Sequence, residues 1–180
     1  MKLGLVGASC CGKTTLFKAL KKEFPNVDYI EEIASYFTQS EREKFEFQKL
    51  IMEKQISCET GVDNFISDRT VLDNLAYCMW YDRHYDYAQH TIHNDVINLF
   101  HNHMCKKPYT LIVFVDDVFP LINNGVRKMD EIQQKNIYYT LRHMVPLYCA
   151  HYGIPFCFIS GSTEDRVNEI LTRLPPGTNI

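Results

Sequence analysis

Apolar and polar positions follow two periods along the chain. Short apolar runs recur at Leu3-Gly4-Leu5-Val6, Val27-Asp28-Tyr29-Ile30, Asn64-Phe65-Ile66, Thr110-Leu111-Ile112-Val113-Phe114-Val115 and Ile154 to Ile159. Such runs, flanked by turn residues, predict strands, and the nearly unbroken stretch at 110–115 predicts a central strand buried on both faces. Between them apolar residues return every three or four positions, which predicts helices. The first runs from Lys13 to about Phe24, before Pro25-Asn26. One amphipathic helix is expected from Ser40 to about Thr60, on Phe47, Leu50, Ile51 and Ile56, ended by Gly61. Thr70 caps another through Leu72, Leu75, Ala76 and Met79 to about Tyr81. A fourth carries Val96, Ile97, Leu99 and Phe100 and stops at Lys106-Lys107-Pro108. A long one starts at Asp130, with Ile132, Ile137, Leu141, Val145 and Tyr148 on one face, and ends near Tyr152-Gly153. The last begins at Ser162 with Val167, Ile170, Leu171 and Leu174, before a loose tail at Pro175-Pro176-Gly177.

Strands alternating with helices predict an α/β fold, a five-stranded parallel sheet with helices on both faces. A length of 180 residues suggests one domain over 1–180, with enough chain for a proper core. Composition changes little. The net charge of −3 argues against a dedicated nucleic-acid binder, and no apolar run approaches the roughly 20 residues of a membrane span. The N-terminus reads as a strand, not a signal peptide. Seven scattered cysteines fit a reducing, cytoplasmic compartment without a disulfide framework. Cys58, Cys78, Cys149 and Cys157 lie in apolar patterns and read as buried thiols. Oligomeric state is left open, a homodimer included.

The first strand runs into Gly7-Ala8-Ser9-Cys10-Cys11-Gly12-Lys13-Thr14, the form G-x-x-x-x-G-K-[ST], and Thr15 follows it into the helix. Strand, glycine-rich turn and helix N-terminus are the context that a phosphate-binding loop needs. Backbone N–H groups and the helix dipole would hold phosphate oxygens. Lys13 would reach the β- and γ-phosphates of ATP, and the Thr14 hydroxyl would ligate Mg²⁺. Cys10 and Cys11 sit within the loop, with nothing nearby in sequence marking a reactive thiolate.

In open α/β sheets ligands bind beyond the carboxyl ends of the strands. There the sequence places Glu31-Glu32, Asp68-Arg69 and Asp116-Asp117, opposite the loop. A phosphoryl transferase needs this mixture of carboxylates and cations. Several residues have plain structural alternatives. Arg69 could pair with Asp73 four residues on. Asp116 and Asp117 could cap the following turn. Either Glu31 or Glu32 could be the functional carboxylate. His101, His103 and Cys105 have the wrong helical phase for a zinc site and read as a polar helix end. Tyr77, Trp80, Tyr81, Tyr85 and Tyr87 could stack on a base or plug the core between helices.

The loop, Glu32-Ile33-Ala34, the helix with Gln48 and Gln55, Ser67-Asp68-Arg69-Thr70-Val71-Leu72-Asp73-Asn74-Leu75-Ala76-Tyr77, and Asn124-Gly125-Val126-Arg127 fall in one order. In this the chain resembles the P-loop kinase group that includes NadR-type nicotinamide riboside kinases and AAA-type small ATP-binding proteins. It is similar, more distantly, to thymidylate and deoxynucleoside kinases. The resemblance covers nearly the whole chain. It implies that Asp68 is a catalytic or Mg²⁺-associated carboxylate, Arg69 a phosphate or acceptor contact, and Glu32 the carboxylate beside the acceptor. It also implies that Arg127, with Lys128 and Arg142 as rivals, closes on the ATP phosphates from a lid-like loop at about 116–130. Asn124-Gly125 stands where Asp-Gly is frequent, and Ser35 where an arginine often follows the second-strand glutamate. The expected activity is transfer of the γ-phosphoryl group of ATP to a small-molecule acceptor: a nucleoside, a nucleotide or a nicotinamide-riboside-like compound. Arg69 and Arg42 are the few cations available to an acceptor phosphate, which favours an uncharged or singly charged acceptor. The alternative is a regulatory ATPase module acting on a protein partner. No N-K-x-D sequence follows Val115, so GTP specificity is not expected.

Overall fold

The apolar runs assemble in the way their period requires. The computed structural model describes residues 1–42, 46–82, 90–121 and 130–174. Five strands, β1 (Lys2–Val6), β2 (Asp28–Ile30), β3 (Phe65–Asp68), β4 (Leu111–Val115) and β5 (Phe156–Ile159), form one sheet in the order β2-β3-β1-β4-β5. Every pairing is parallel, with Leu3 opposite Ile66 on one side of β1 and Leu111 on the other. Among the described residues seven α-helices pack around it: α1 (Lys13–Glu23), α2 (Gln39–Arg42), α3 (Phe47–Thr60), α4 (Val71–Asp82), α5 (His90–Met104), α6 (Glu131–Tyr152) and α7 (Thr163–Arg173), with a short 3-10 turn at Ile33–Tyr36.

The two-residue period of the strands divides the core between the sheet's faces. Leu111, Val113 and Val115 of β4 pack with Leu16, Phe17 and Leu20 of α1 and Ile170 of α7. Ile112 and Phe114 point the other way, into the layer of Met52, Leu72, Phe100 and Leu141 from α3, α4, α5 and α6. β4 is fully buried along its length, as its unbroken apolar run requires.

Capping residues set several helix starts. Asp130 accepts from the Ile132 and Gln133 amides ahead of α6, at 2.8 and 3.1 Å. Ser162 and Asp165 form a reciprocal capping box at α7. Thr70 Oγ1 accepts from Leu72 N–H at 3.1 Å ahead of α4.

Two sequence expectations are corrected. The single helix over Ser40 to Thr60 is not continuous: Glu46 is a turn residue with ψ of 0°, and α3 begins only at Phe47. The apolar spacing there comes almost wholly from residues 47–56, so it carries no information about residues 40–46. Ile132 does not share the buried face of α6; it is 67% exposed, because it stands five residues before Ile137, about 140° around the helix and off the stripe that Ile137, Leu141 and Val145 bury.

Candidate functional site

The loop leaves the carboxyl end of β1 and is held as a fixed shape by its neighbours. Gly12 caps α1 with φ of 88°, and a Cβ there would stand 2.6 Å from Arg166 Nη1. At Gly7 a Cβ would meet Cys11 Sγ at 2.9 Å and the Val115 carbonyl at 3.2 Å. Both positions therefore demand glycine, for space as well as torsion. Three loop carbonyls are taken from outside. Gln134 Nε2 of α6 donates to Ser9 O at 2.8 Å, Phe119 N–H to Cys10 O at 2.9 Å, and Arg166 Nη1 of α7 to Cys11 O at 3.3 Å. Ser9 Oγ is hydrogen-bonded to the Tyr77 hydroxyl at 3.0 Å.

Lys13, buried at the start of α1, donates from Nζ to Gly7 O at 2.7 Å and Ala8 O at 2.6 Å, and lies 3.3 Å from Cys11 Sγ. A buried ammonium is tolerated only with such acceptors, and here they belong to the loop itself. Thr14 and Thr15 are exposed at the first turn of α1, and Thr14 Oγ1 donates to Asp68 Oδ2 at 2.8 Å. The loop and the end of β3 are thereby joined through a hydroxyl and a carboxylate, two hard oxygen donors suited to Mg²⁺.

Arg69 follows Asp68 with φ of 89°, a conformation few arginines adopt. Its Nε donates to Glu32 Oε1 at 2.9 Å and its Nη1 to Asp73 Oδ1 at 3.4 Å. The guanidinium carbon lies 5.2 Å from the centroid of the Tyr77 ring. Burial works against the charge, but Glu32, Tyr77, Asp73 and Asp68 outweigh it and hold the guanidinium pKa well above its ordinary value. Glu31 points elsewhere, to Lys21 at 3.3 Å. Between the adjacent glutamates, Glu32 is the one that faces the loop side of the sheet.

Asp73 has a larger part than a surface partner for Arg69. It is fully buried and accepts from Gly7 N–H at 3.2 Å and from Thr70 N–H and Oγ1 at 2.9 and 3.2 Å. Burial pushes its carboxyl above the usual carboxylate range, against the pull of Arg69, Lys13 and those amides. One carboxylate thus ties the phosphate loop, the α4 cap and Arg69 together.

Other expected residues settle differently. Asp116 accepts from the Tyr138 hydroxyl at 2.7 Å and pairs with Arg142 at 3.4 Å. Asp117 pairs with the buried Arg166 at 2.6 Å and accepts from Gly161 N–H at 3.1 Å. His103 is not part of a polar helix end. It is buried, with Nε2 2.7 Å from Glu59 Oε2, while Cys105 is exposed. Among the described residues no group of His, Cys, Asp and Glu could hold a metal ion by itself, and no helix is long and apolar enough to cross a membrane. Cys78, Cys149 and Cys157 are buried as expected and Cys58 is half-buried. Arg127, Lys128, Asn124-Gly125, most of the lid-like loop, Tyr85 and Tyr87 lie outside the described residues.

Sequence reasoning missed Gln134, Arg166 and the Asp117 pairing. No local pattern marks them, because each reaches the loop across long stretches of chain. The reach of Asp73 was half visible: Thr70-x-x-Asp73 has capping-box spacing, but its bond to Gly7 is tertiary.

Known structures share this architecture. A deoxyadenosine kinase from M. mycoides with dCMP and dCDP bound has 16% sequence identity and a TM-score of 0.69, over 96% of this chain and 97% of that one. A NadR protein in complex with NAD and AMP-PNP has 15% identity and a TM-score of 0.70, over 99% of this chain but 50% of that one. The thymidylate kinase of Candida albicans has 16% identity and a TM-score of 0.57, over 95% and 89% of the two chains. At such identities the likeness is one of fold: the P-loop α/β sheet of nucleoside and nucleotide kinases. No curated protein matches the chain in sequence. A family model described as "AAA domain" matches residues 2–166, a span that holds the loop, Glu32, the Asp68–Asp73 segment and Arg166, and the chain belongs to that family.

Proposed function

We propose that the protein is an ATP- and Mg²⁺-dependent kinase of a small-molecule acceptor, of nucleoside, nucleotide or nicotinamide-riboside type. The observation that carries this is the 2.8 Å contact between Thr14 of the loop and Asp68 at the end of β3. It puts a nucleotide-side hydroxyl and a carboxylate at one point, with the Glu32–Arg69 pair beside it. The structural neighbours that bind deoxynucleotides, or NAD with AMP-PNP, support the same reading.

In this reading the loop amides and Lys13 hold the β- and γ-phosphates of ATP. Thr14 and Asp68 would hold Mg²⁺, which when bound neutralises charge on the phosphates. Glu32 or Asp68 accepts the proton of the acceptor hydroxyl. The acceptor oxygen bonds to the γ-phosphorus, the bond to the bridging β,γ-oxygen breaks, and ADP leaves with that oxygen. Arg69 orients the acceptor and offsets charge on the moving phosphoryl group. Its guanidinium is already engaged by two carboxylates, which favours an uncharged acceptor hydroxyl over an acceptor monophosphate. Arg127 is proposed as the lid cation, and residues 1–180 as one kinase domain.

The test is ADP release from ATP·Mg²⁺ in the presence of deoxyadenosine, deoxycytidine, thymidine, nicotinamide riboside and their monophosphates. Turnover dependent on one of these, lost in Asp68→Asn, is the expected result. Folded protein that binds ATP but turns over equally with and without every acceptor would overturn the reading in favour of a regulatory ATPase.

A further inference from the structure

Beneath the segment that carries Asp68, Arg69 and Asp73 lies a buried polar network that the proposed reaction does not touch. Its hub is Glu59, near the end of α3. The Glu59 carboxylate accepts from Gln55 Nε2 at 2.7 Å, from the Tyr109 hydroxyl at 2.8 Å to each oxygen, and from His103 Nε2 at 2.7 Å. Gln55, Glu59, Ser67, His103 and Tyr109 are all buried. No lysine or arginine pairs with Glu59 among the described residues. A buried carboxylate without a strong cation is an expensive way to fill a core.

Two arms leave the hub and end on the same short stretch of backbone. In the first, Gln55 Nε2 also lies 3.3 Å from the Arg69 carbonyl and 2.9 Å from Ser67 Oγ, and Ser67 Oγ donates to that carbonyl at 2.7 Å. In the second, the Tyr109 oxygen accepts from Val71 N–H at 3.3 Å. The arms thus grip the backbone on either side of Thr70, right after the residue held at φ of 89°. An ionised carboxylate only accepts. Glu59 therefore fixes which way the Gln55 amide faces, turns the Tyr109 hydrogen toward itself, and leaves the Tyr109 lone pair for Val71.

We propose that Glu59 is a positioning residue: through Gln55 and Tyr109 it holds the left-handed turn that presents the Arg69 guanidinium to the acceptor. The inference rests on the kinase reading for its catalytic consequence and on geometry alone for the turn. A glutamine at position 59 keeps one acceptor oxygen for Gln55 and Tyr109 and so preserves both arms; it gives up only the bond to His103, whose Nδ1 is buried without a partner to take a shifted proton. A leucine keeps neither.

The experiment compares wild type, Glu59→Leu, Glu59→Gln, Gln55→Leu and Ser67→Ala. Two readouts are used. Steady-state kinetics separate the KM for acceptor from the KM for ATP. Hydrogen exchange follows peptides covering 67–73 against those covering the loop at 7–15. Glu59→Leu and Gln55→Leu are expected to raise the acceptor KM at least tenfold and to speed exchange at 67–73 at least tenfold. The ATP KM and loop exchange should stay within about twofold, and Glu59→Gln should lie within about threefold of wild type on every measure. Parallel rises in both KM values, or Glu59→Gln as impaired as Glu59→Leu, would reduce the network to general stability and overturn the proposal. Unchanged exchange at 67–73 in Gln55→Leu would overturn it too. If wild type shows no acceptor-dependent turnover, the kinase reading fails by itself and the exchange data still decide the turn. Should Glu59→Leu not fold, Gln55→Leu and the milder Ser67→Ala carry the comparison.

Discussion

Asp73 and Arg69 form the most exacting test of how the site is built, because each is buried and each has other partners. Asp73→Ala removes the acceptor of two backbone amides, Gly7 and Thr70, at 3.2 and 2.9 Å. It also removes one of two carboxylates from Arg69, which keeps Glu32 at 2.9 Å. A buried donor left unpaired costs about 1–3 kcal/mol, and breaking a buried ion pair about 3–5 kcal/mol. With Glu32 still in place the pair contribution falls low, and Asp73→Ala should destabilise by about 4 kcal/mol. Arg69→Ala leaves Asp73 charged but still bonded to amides and keeps the left-handed strain, so about 3 kcal/mol is expected. The double variant removes both charges together. It should lose about 5 kcal/mol rather than 7, a coupling of about 2 kcal/mol, as for groups in one network. Urea unfolding followed by circular dichroism gives each value from the midpoint at constant m. Arg69→Gly should be more stable than Arg69→Ala by about 0.5 kcal/mol, the reverse of the usual order, since glycine carries no strain at this φ. Additivity within about 0.5 kcal/mol would show that the two residues do not act as one network, and alanine equal to or better than glycine at 69 would show that the turn carries no strain.

Lys13→Ala should weaken ATP binding at least a hundredfold, read by calorimetry, because its ammonium is the cation held inside the loop; a change under about threefold would remove it from the nucleotide site. Gly12→Ala should lower stability by about 2 kcal/mol and weaken ATP binding as well, since its Cβ would press on Arg166 from a left-handed backbone; an unchanged melting temperature would contradict this. Burial pushes the Cys149 thiol up to about 12 and the Cys157 thiol up to about 11, from an ordinary 9.0. These folded values are raised, so the stability they contribute is complete below about pH 9. Above that the unfolded chain ionises first, and stability should fall by about 1.4 kcal/mol per pH unit for each thiol until about pH 11. Urea midpoints from pH 8 to 10.5 should show this decline, and Cys149→Ala should flatten it; an equal slope in that variant would exclude the buried thiol as its source.

The fold was legible because its information is local. Strand period, cap residues and the G-x-x-x-x-G-K-[ST] loop each occupy a few consecutive positions, and β4 and the Asp130 and Ser162 caps appear where those patterns put them. The braces of the site were not legible for the opposite reason. Arg166 meets Cys11 across 155 positions, and Gln134 meets Ser9 across 125; only the folded sheet makes them neighbours. His103 lies between these cases. Residues two apart on a helix stand about 200° apart, which denies His101, His103 and Cys105 a shared zinc site. That same angle places His103 on the side opposite its two neighbours. On a helix whose Phe100 and Met104 face the core, a residue one turn after Phe100 is directed inward. A histidine so directed needs a buried partner, and Glu59, the last acidic residue of a helix packed on the same layer, supplies it.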